Sequence, residues 1–236
     1  MPLPSRFSRF YGSGLTSQTA RDRLVEQLRE QGISNEQVLE IIRQLPRHHF
    51  IDEALESHAY NNTALPIGLG QTISQPYIVA KMTEALIENG RLEKVLEIGT
   101  GCGYQTAVLA HFSKQVYSIE RIGSFLISTQ KRLEQLNLKN VQLIHGDGYL
   151  GLEKHAPFQG ILVAAAPLEI PRSLLEQLAI NGRLIIPVGD AQHQTLYQIT
   201  RTRTGFESNS LNNVCFVPLC EGLYENNFLE KNKSKL

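Results

Sequence analysis

The sequence predicts an α/β protein: an open, mostly parallel sheet with helices on both faces and a helical extension ahead of it. Three observations carry the prediction. Val95 to Ala110, VLEIGTGCGYQTAVLA, runs from a short apolar strand through three alternate glycines into a helix-forming segment. Between residues 95 and 188 short apolar runs alternate with helix-period segments, the pattern of βαβ units. Two more amphipathic patterns lie between residues 20 and 46, before the first of those strands. Right-handed crossovers and a mixed carboxyl-terminal edge are expected.

In chain order, residues 1–20 are rich in Ser, Gly, Arg and Pro with no clear period, which predicts a loose arm. Ala20 to Gln31 reads as a helix with Leu24, Val25 and Leu28 on one side and Gly32 as its stop. Ser34 is expected to cap a second helix, with Gln37 in the capping-box position, Val38, Leu39, Ile41, Ile42 and Leu45 as its apolar face, and Pro46 ending it. Leu65 to Met82, LPIGLGQTISQPYIVAKM, contains a flexible loop at Gly68 and Gly70, then Ser74 just before Pro76 and an apolar-periodic helix over Tyr77 to Ile87. Ser74 reads as an ordinary N-cap, and equally as a hydroxyl placed to hold a carboxylate; the two roles are compatible.

The glycine turn decides which ligand its strand-to-helix bend suits. A dinucleotide fingerprint needs G-x-G-x-x-G, but counting from Gly99 or from Gly101 the third glycine falls on Tyr104 or Thr106. No G-x-x-x-x-G-K-[ST] occurs either, which excludes a P-loop. What remains is Glu97-x-Gly99-x-Gly101-x-Gly103. Its acid suits an ammonium better than a phosphate, directly or through water.

Gln115 to Ile119 reads as the second strand of the sheet, ending in Glu120, where a carboxylate can accept both ribose hydroxyls or simply face solvent. Phe125 to Leu136 is a helix, and Val141 to Ile144 a strand closed by Gly146-Asp147-Gly148. Asp147 either accepts from an adenine amino group or shapes the turn. Gly160 to Ala165 is the fourth strand, Leu174 to Leu178 a short helix, Gly182 to Val188 the fifth strand, and Thr195 to Arg201 with Val214 to Leu219 the last two, with Gly205 in their connection. The tail from Glu230 to Leu236 is read as frayed.

Composition narrows the classes. Lys plus Arg and Asp plus Glu number 23 each, so no global basic field exists to gather nucleic acid. No apolar run approaches the ~20 residues of a membrane helix. Cys102, Cys215 and Cys220 lack CxxC spacing, which argues against a disulfide framework and a zinc site and fits a reducing, cytoplasmic setting. Cys102 is read as a small loop residue, though a helix N-terminus there would lower its pKa. His48 and His49 are adjacent and read as structural.

The motif Glu97 to Gly103 resembles the first motif of class I S-adenosylmethionine-dependent methyltransferases. Taken with LPIGLGQTISQP, it resembles the protein-L-isoaspartate O-methyltransferases, over roughly Pro46-Arg47-His48-His49-Phe50 to Phe216-Val217-Pro218-Leu219. The resemblance implies a Rossmann-like fold of seven strands whose last two exchange places relative to other class I members. It implies a catalytic Ser74 and cofactor contacts at Thr72, Ile73, Glu97, Gly99, Thr100, Gly101, Gly103, Glu120, Arg121, Gly146, Asp147 and Gly148, with no metal. The activity implied is methylation of the α-carboxylate of isoaspartyl residues in damaged proteins and peptides, with S-adenosylhomocysteine as the product of the donor. Partners implied are those substrates alone, without nucleic acid or membrane, on a monomer.

The expected organisation is an arm over 1–20, helices and an active-site loop over 21–90, a cofactor domain over 91–229 and a tail over 230–236, all in one globular unit. The fourth strand ends in Ala165-Ala166-Pro167 without the Asn or Asp, two prolines and aromatic that orient an amine in amino-methylating enzymes. A carboxylate is already ionised at neutral pH and needs placing more than deprotonating. Gln159 and Cys102 stand where family members often carry Asp and Ser. A same-fold methyltransferase of small molecules or RNA, and a catalytically silent cofactor-binding module, remain the alternatives.

Overall fold

The computed structural model describes residues 12–224. The first eleven residues of the expected arm and the whole of the expected tail lie outside the described residues.

The extension begins earlier than its apolar period suggests. Ser17 accepts from the Ala20 N–H, so helix α1 runs Gln18–Glu30, three residues into the expected arm. Helix α2, Glu36–Gln44, is capped by Asn35, whose side chain accepts from the Gln37 and Val38 amides; Ser34 is not the cap. The Ser34 N–H and hydroxyl and the Asn35 N–H all donate to Glu84 Oε1, fifty residues away or nearly so. Val38, Leu39 and Ile42 of α2 are buried, each adding about 1.5–3 kcal/mol of transfer free energy.

The expected flexible loop is a hairpin. Strands β1, Leu65–Gly68, and β2, Gln71–Ile73, pair antiparallel with Gly68 opposite Gln71. Leu69 and Gly70 turn the chain at φ 52° and 71°, the primed turn whose twist matches a hairpin. Helix α3, Pro76–Leu86, follows, with proline in its first turn.

The main sheet uses β3 (Leu92–Ile98), β4 (Ser113–Glu120), β5 (Val141–His145), β6 (Phe158–Val163), β7 (Leu178–Gly189), β8 (Gln194–Arg201) and β9 (Phe206–Val214), connected through α4 (Tyr104–Phe112), α5 (Gly123–Gln135) and α6 (Arg172–Glu176). Its spatial order is β5-β4-β3-β6-β7-β8-β9. The first five strands are mutually parallel, and β8 runs antiparallel to both β7 and β9. The two final strands therefore sit in simple chain order at the edge, the exchange the family resemblance implies. The last strand is Phe206–Val214 and not Val214 to Leu219; the apolar segment after it leaves the ladder for a different task.

Alternation along the central strands divides the interior. Val95, Leu162 and Ile185 pack in one cluster with α1 to α4, whereas Leu96, Ile161, Val163, Leu184 and Ile186 pack in a second with Leu174 of α6. Both faces of the parallel strands are thus covered, and the carboxyl ends of β3, β4 and β6 are left to meet the glycine turn.

Candidate active site

One cavity of about 1000 Å³ opens at that edge, ample for a nucleoside-sized ligand. Its floor is the turn after β3. Gly99, Gly101 and Gly103 all have positive φ, which an L side chain rarely adopts. At Gly103, the N-cap of α4, a Cβ would also lie 2.5 Å from Thr129 Cγ2 of α5. Thr129 Oγ1 in turn donates to the Gly101 carbonyl at 2.8 Å.

Glu120 ends β4 beside this turn. Its Oε2 accepts from the Gly101 N–H and its Oε1 from the Ile122 N–H, both at 2.8 Å. Each oxygen keeps acceptor capacity, and the residue lines the cavity. The carboxylate thereby fixes the glycine turn and presents an acceptor pair to a ligand with vicinal hydroxyls.

Glu97 is placed differently from Glu120. It is fully buried beneath the turn, outside the cavity wall, with Oε2 accepting from Thr106 Oγ1 and Ser118 Oγ and with Oε1 unpartnered. Burial pushes its carboxyl up to about 7 against the pull of those two hydroxyls. Thr100, next in the turn, lines the cavity and shares a 2.6 Å bond with Ser118 Oγ.

Asp147, like Gly146, is not part of the cavity wall: it accepts from the Tyr149 N–H through Oδ1 and from the Gly222 N–H through Oδ2, so it shapes the turn and pins the chain beyond Cys220. Gly148 lines the cavity, and a Cβ there would overlap Ile98 Cγ2; Gly146 donates its N–H to the Glu120 carbonyl. Arg121 lies on the wall with Nε donating to the Gly222 carbonyl and its guanidinium 5.8 Å from the Tyr224 ring centroid.

The hairpin forms the opposite wall. Thr72, Ile73 and Ser74 all line the cavity, and Ile67 Cδ1 would sit 3.3 Å from a Cβ at Gly101. Ser74 is half-buried and does not cap α3: among the described residues its hydroxyl makes no hydrogen bond, and Asn62 Oδ1 accepts from the Tyr77 N–H at 2.9 Å instead.

Cys102, Cys215 and Cys220 are free thiols on this cavity. Burial pushes the Cys102 thiol up, in accord with a packed loop residue and not an activated one. Gln159 Oε1 accepts from the Glu93 and Lys94 amides at 2.8 and 2.9 Å, a task an amide oxygen performs as a carboxylate would. His48 bonds Tyr60 and His49 bonds Gln135, away from the cavity wall.

Sequence reading assigned neither Asn62 nor the segment 213–220 to the site. That segment lines the cavity, tied by the Ala166 N–H to the Val217 carbonyl and by the Leu219 N–H to the Ala166 carbonyl, each at 2.8 Å. Its apolar alternation is the signal, read as a strand when it marks a lining.

The residues present fit a sulfonium nucleoside better than a nucleotide. Among the described residues Glu120 and Arg121 are the charged ones lining the cavity, and Arg121 is already turned to Gly222 and Tyr224, so these residues form no cluster of cations for phosphates. Among the described residues no group of three His, Cys, Asp or Glu side chains is arranged to hold a metal ion.

Sheet order, alternate-glycine turn and strand-end carboxylate together define a Rossmann-like methyltransferase of class I. The family model for protein-L-isoaspartate(D-aspartate) O-methyltransferase matches residues 19–224. The chain belongs to that family. It is 56% identical over 211 residues to the protein-L-isoaspartate O-methyltransferase of Halorhodospira halophila, covering 89% of this chain and 96% of the relative. The Alcanivorax borkumensis enzyme of the same name is 55% identical over 212 residues, covering 90% and 96%. Among solved structures, a Plasmodium falciparum protein described as a putative protein-L-isoaspartate O-methyltransferase in complex with S-adenosyl-L-homocysteine superposes with TM-score 0.73 at 29% identity, over 84% of this chain and 97% of that one. A second structure named protein-L-isoaspartate O-methyltransferase gives TM-score 0.77 at 26% identity, over 91% and 69%.

Proposed function

We infer that the protein is an S-adenosylmethionine-dependent carboxyl O-methyltransferase that esterifies the α-carboxylate of isoaspartyl residues in damaged proteins and peptides, initiating their repair. When bound, S-adenosylmethionine would supply a sulfonium methyl, to which a carboxylate oxygen bonds as the carbon–sulfur bond breaks, the sulfur leaving with the electron pair as the neutral thioether of S-adenosylhomocysteine. The observation that carries the reading is Ser74: a hydroxyl with no hydrogen bond among the described residues, on the cavity wall that also holds Thr72 and Ile73, facing a pocket floored by the glycine turn.

The chain's own residues are then asked to position and to exclude water. An isoaspartyl carboxylate is ionised at neutral pH and needs no general base, so Ser74 serves by donating a hydrogen bond that fixes the attacking group. It is not an acyl nucleophile, because no G-x-S-x-G surrounds it. Glu120 would accept from the ribose hydroxyls beside its bonds to the Gly101 and Ile122 amides. Asp147, whose oxygens already hold the Tyr149 and Gly222 amides, would meet the adenine end together with Gly146 and Gly148, Arg121 would flank the nucleoside, Thr72, Ile73 and Thr100 would close around the methionine end, and Gly99, Gly101 and Gly103 would admit it to the backbone. Glu97 acts from below, its Oε2 accepting from Thr106 of α4 and Ser118 of β4 and so bracing the turn.

No helix is long and apolar enough to cross a membrane among the described residues. Free thiols at all three cysteines support a reducing, cytoplasmic setting. Equal numbers of acidic and basic residues support action on protein without nucleic acid, and a monomer completes the proposal.

Labelled S-adenosylmethionine offered with an isoaspartyl peptide and its normal aspartyl twin tests this. A base-labile methyl ester on the first alone is expected. Label on neither peptide, or equally on both, overturns the assignment.

A further inference from the structure

Helix α3 does not supply its own cap. Pro76 has no N–H to satisfy, and Gln75 at the N-cap makes no side-chain hydrogen bond to the first turn. Of the first-turn donors ahead of the Val79 N–H to Gln75 carbonyl bond, the Tyr77 N–H is the one three residues beyond Ser74, and it is met from fifteen residues upstream by Asn62 Oδ1 at 2.9 Å. The Asn62 amide is held in that sense from two further directions. Its Nδ2 donates to Gln31 Oε1 and its backbone carbonyl accepts from Gln75 Nε2, both at 2.8 Å.

Ser74 stands three residues before Tyr77, the spacing at which a serine hydroxyl caps a helix by accepting from a first-turn N–H. An unsatisfied Tyr77 donor would draw that hydroxyl toward the helix, since an orphan backbone N–H costs more than a rotamer change. With Asn62 on the donor, the rotamer is not claimed by the backbone.

We propose that Asn62 is a positioning residue for the reaction: by taking the Tyr77 N–H it denies Ser74 the cap and leaves the Ser74 hydroxyl for the substrate carboxylate. The inference rests on the reading of Ser74 given above. It accounts for a capping-type serine directly before a proline-started helix that does not cap. It also gives the extension a part in the site, because Gln31 at the end of α1 holds Asn62 in its orientation.

The test is a set of four variants with three readouts. Asn62→Ala is expected to lower kcat roughly tenfold, the scale of one hydrogen bond, with unchanged equilibrium affinity for S-adenosylhomocysteine. In a Ser74→Ala background the same change should leave kcat where Ser74→Ala alone puts it. Asn62→Asp, which keeps the acceptor, should restore near wild-type kcat. In a crystal structure of Asn62→Ala, Ser74 Oγ should lie within 3.5 Å of the Tyr77 nitrogen, a hydrogen bond by distance. Wild-type turnover in Asn62→Ala, additive losses in the double variant, a poor Asn62→Asp, or a Ser74 hydroxyl still away from Tyr77 would each overturn the inference while leaving the role of Ser74 intact. Unchanged turnover in Ser74→Ala itself would remove both.

Discussion

Thr106 donates its hydroxyl to Glu97 Oε2 at 2.5 Å, inside a fully buried pocket whose other carboxylate oxygen has no partner. The pair joins the first turn of α4 to the end of β3, so the glycine bend between them is spanned underneath by a polar contact that water does not reach. Two hydroxyls on one oxygen do not offset the loss of hydration, and burial wins, lifting the carboxyl from 4.5 to about 7.

That shift makes stability depend on pH in a stated direction. A carboxyl whose folded pKa lies above its unfolded one favours folding while it is protonated. The contribution is therefore complete below about 4.5 and is lost as pH rises through about 7. Its size is on the order of 3 kcal/mol. Glu97→Gln keeps the shape and an acceptor for Thr106 and Ser118 but cannot ionise. Urea unfolding of the ligand-free protein between pH 5 and 8 should show wild type losing stability relative to the variant. Parallel curves would place the Glu97 pKa at its ordinary value.

Ser74→Ala should lower kcat by about 10- to 100-fold, the span expected when a hydrogen bond to a charged group is removed. Cofactor affinity, measured by calorimetry with S-adenosylhomocysteine, should change less than twofold, because Thr72, Ile73 and the glycine turn remain. Equal losses in affinity and turnover would make Ser74 a binding residue alone.

The sheet was legible because buried parallel strands such as Val95 to Ile98 and Gly160 to Val163 are short apolar runs, broken in the first by Glu97 alone. Elements decided by distant partners were not. Asn35 and Ser34 are both capping residues, and only Glu84 across the fold assigns one to the helix and the other to itself. Strand β9 carries Glu207, Ser208, Asn209 and Ser210 because it is a sheet edge paired on one side, so no apolar period marks it. The neighbouring run Val214 to Leu219 has the period but lines the cavity. Glycine spacing and strand-end acids located the site; whether an acid lies in the cavity, as Glu120 does, or under it, as Glu97 does, depends on pleat and depth that a single sequence leaves open.

Leu69 holds φ 52° at the tip of the hairpin and is 45% exposed. A left-handed conformation costs a side-chain-bearing residue roughly 1–2 kcal/mol, and little apolar burial offsets it here. Leu69→Gly should therefore raise stability by a few tenths to about 1 kcal/mol once the added freedom of the unfolded chain is subtracted. Thermal unfolding measures it directly. A lower melting temperature would show that the exposed leucine contributes packing that outweighs its strain.

Gly103 is where two separate penalties meet, and they can be measured apart. Gly103→Ala places a Cβ at φ 88° and 2.5 Å from Thr129 Cγ2. The first penalty is local strain of about 1–2 kcal/mol. The second pushes on Thr129, whose hydroxyl supports the Gly101 carbonyl, and so reaches the cofactor turn. Thr129→Ser removes the methyl and keeps the hydroxyl. Gly103→Ala alone should cost about 2–4 kcal/mol of stability, by adding an overpacking cost to the strain, and weaken S-adenosylhomocysteine binding at least tenfold. Combining it with Thr129→Ser should recover roughly half of the stability and most of the affinity, since the clash goes and the strain stays. No recovery in the double variant would mean that the left-handed backbone at Gly103, and not its contact with α5, is what the turn requires.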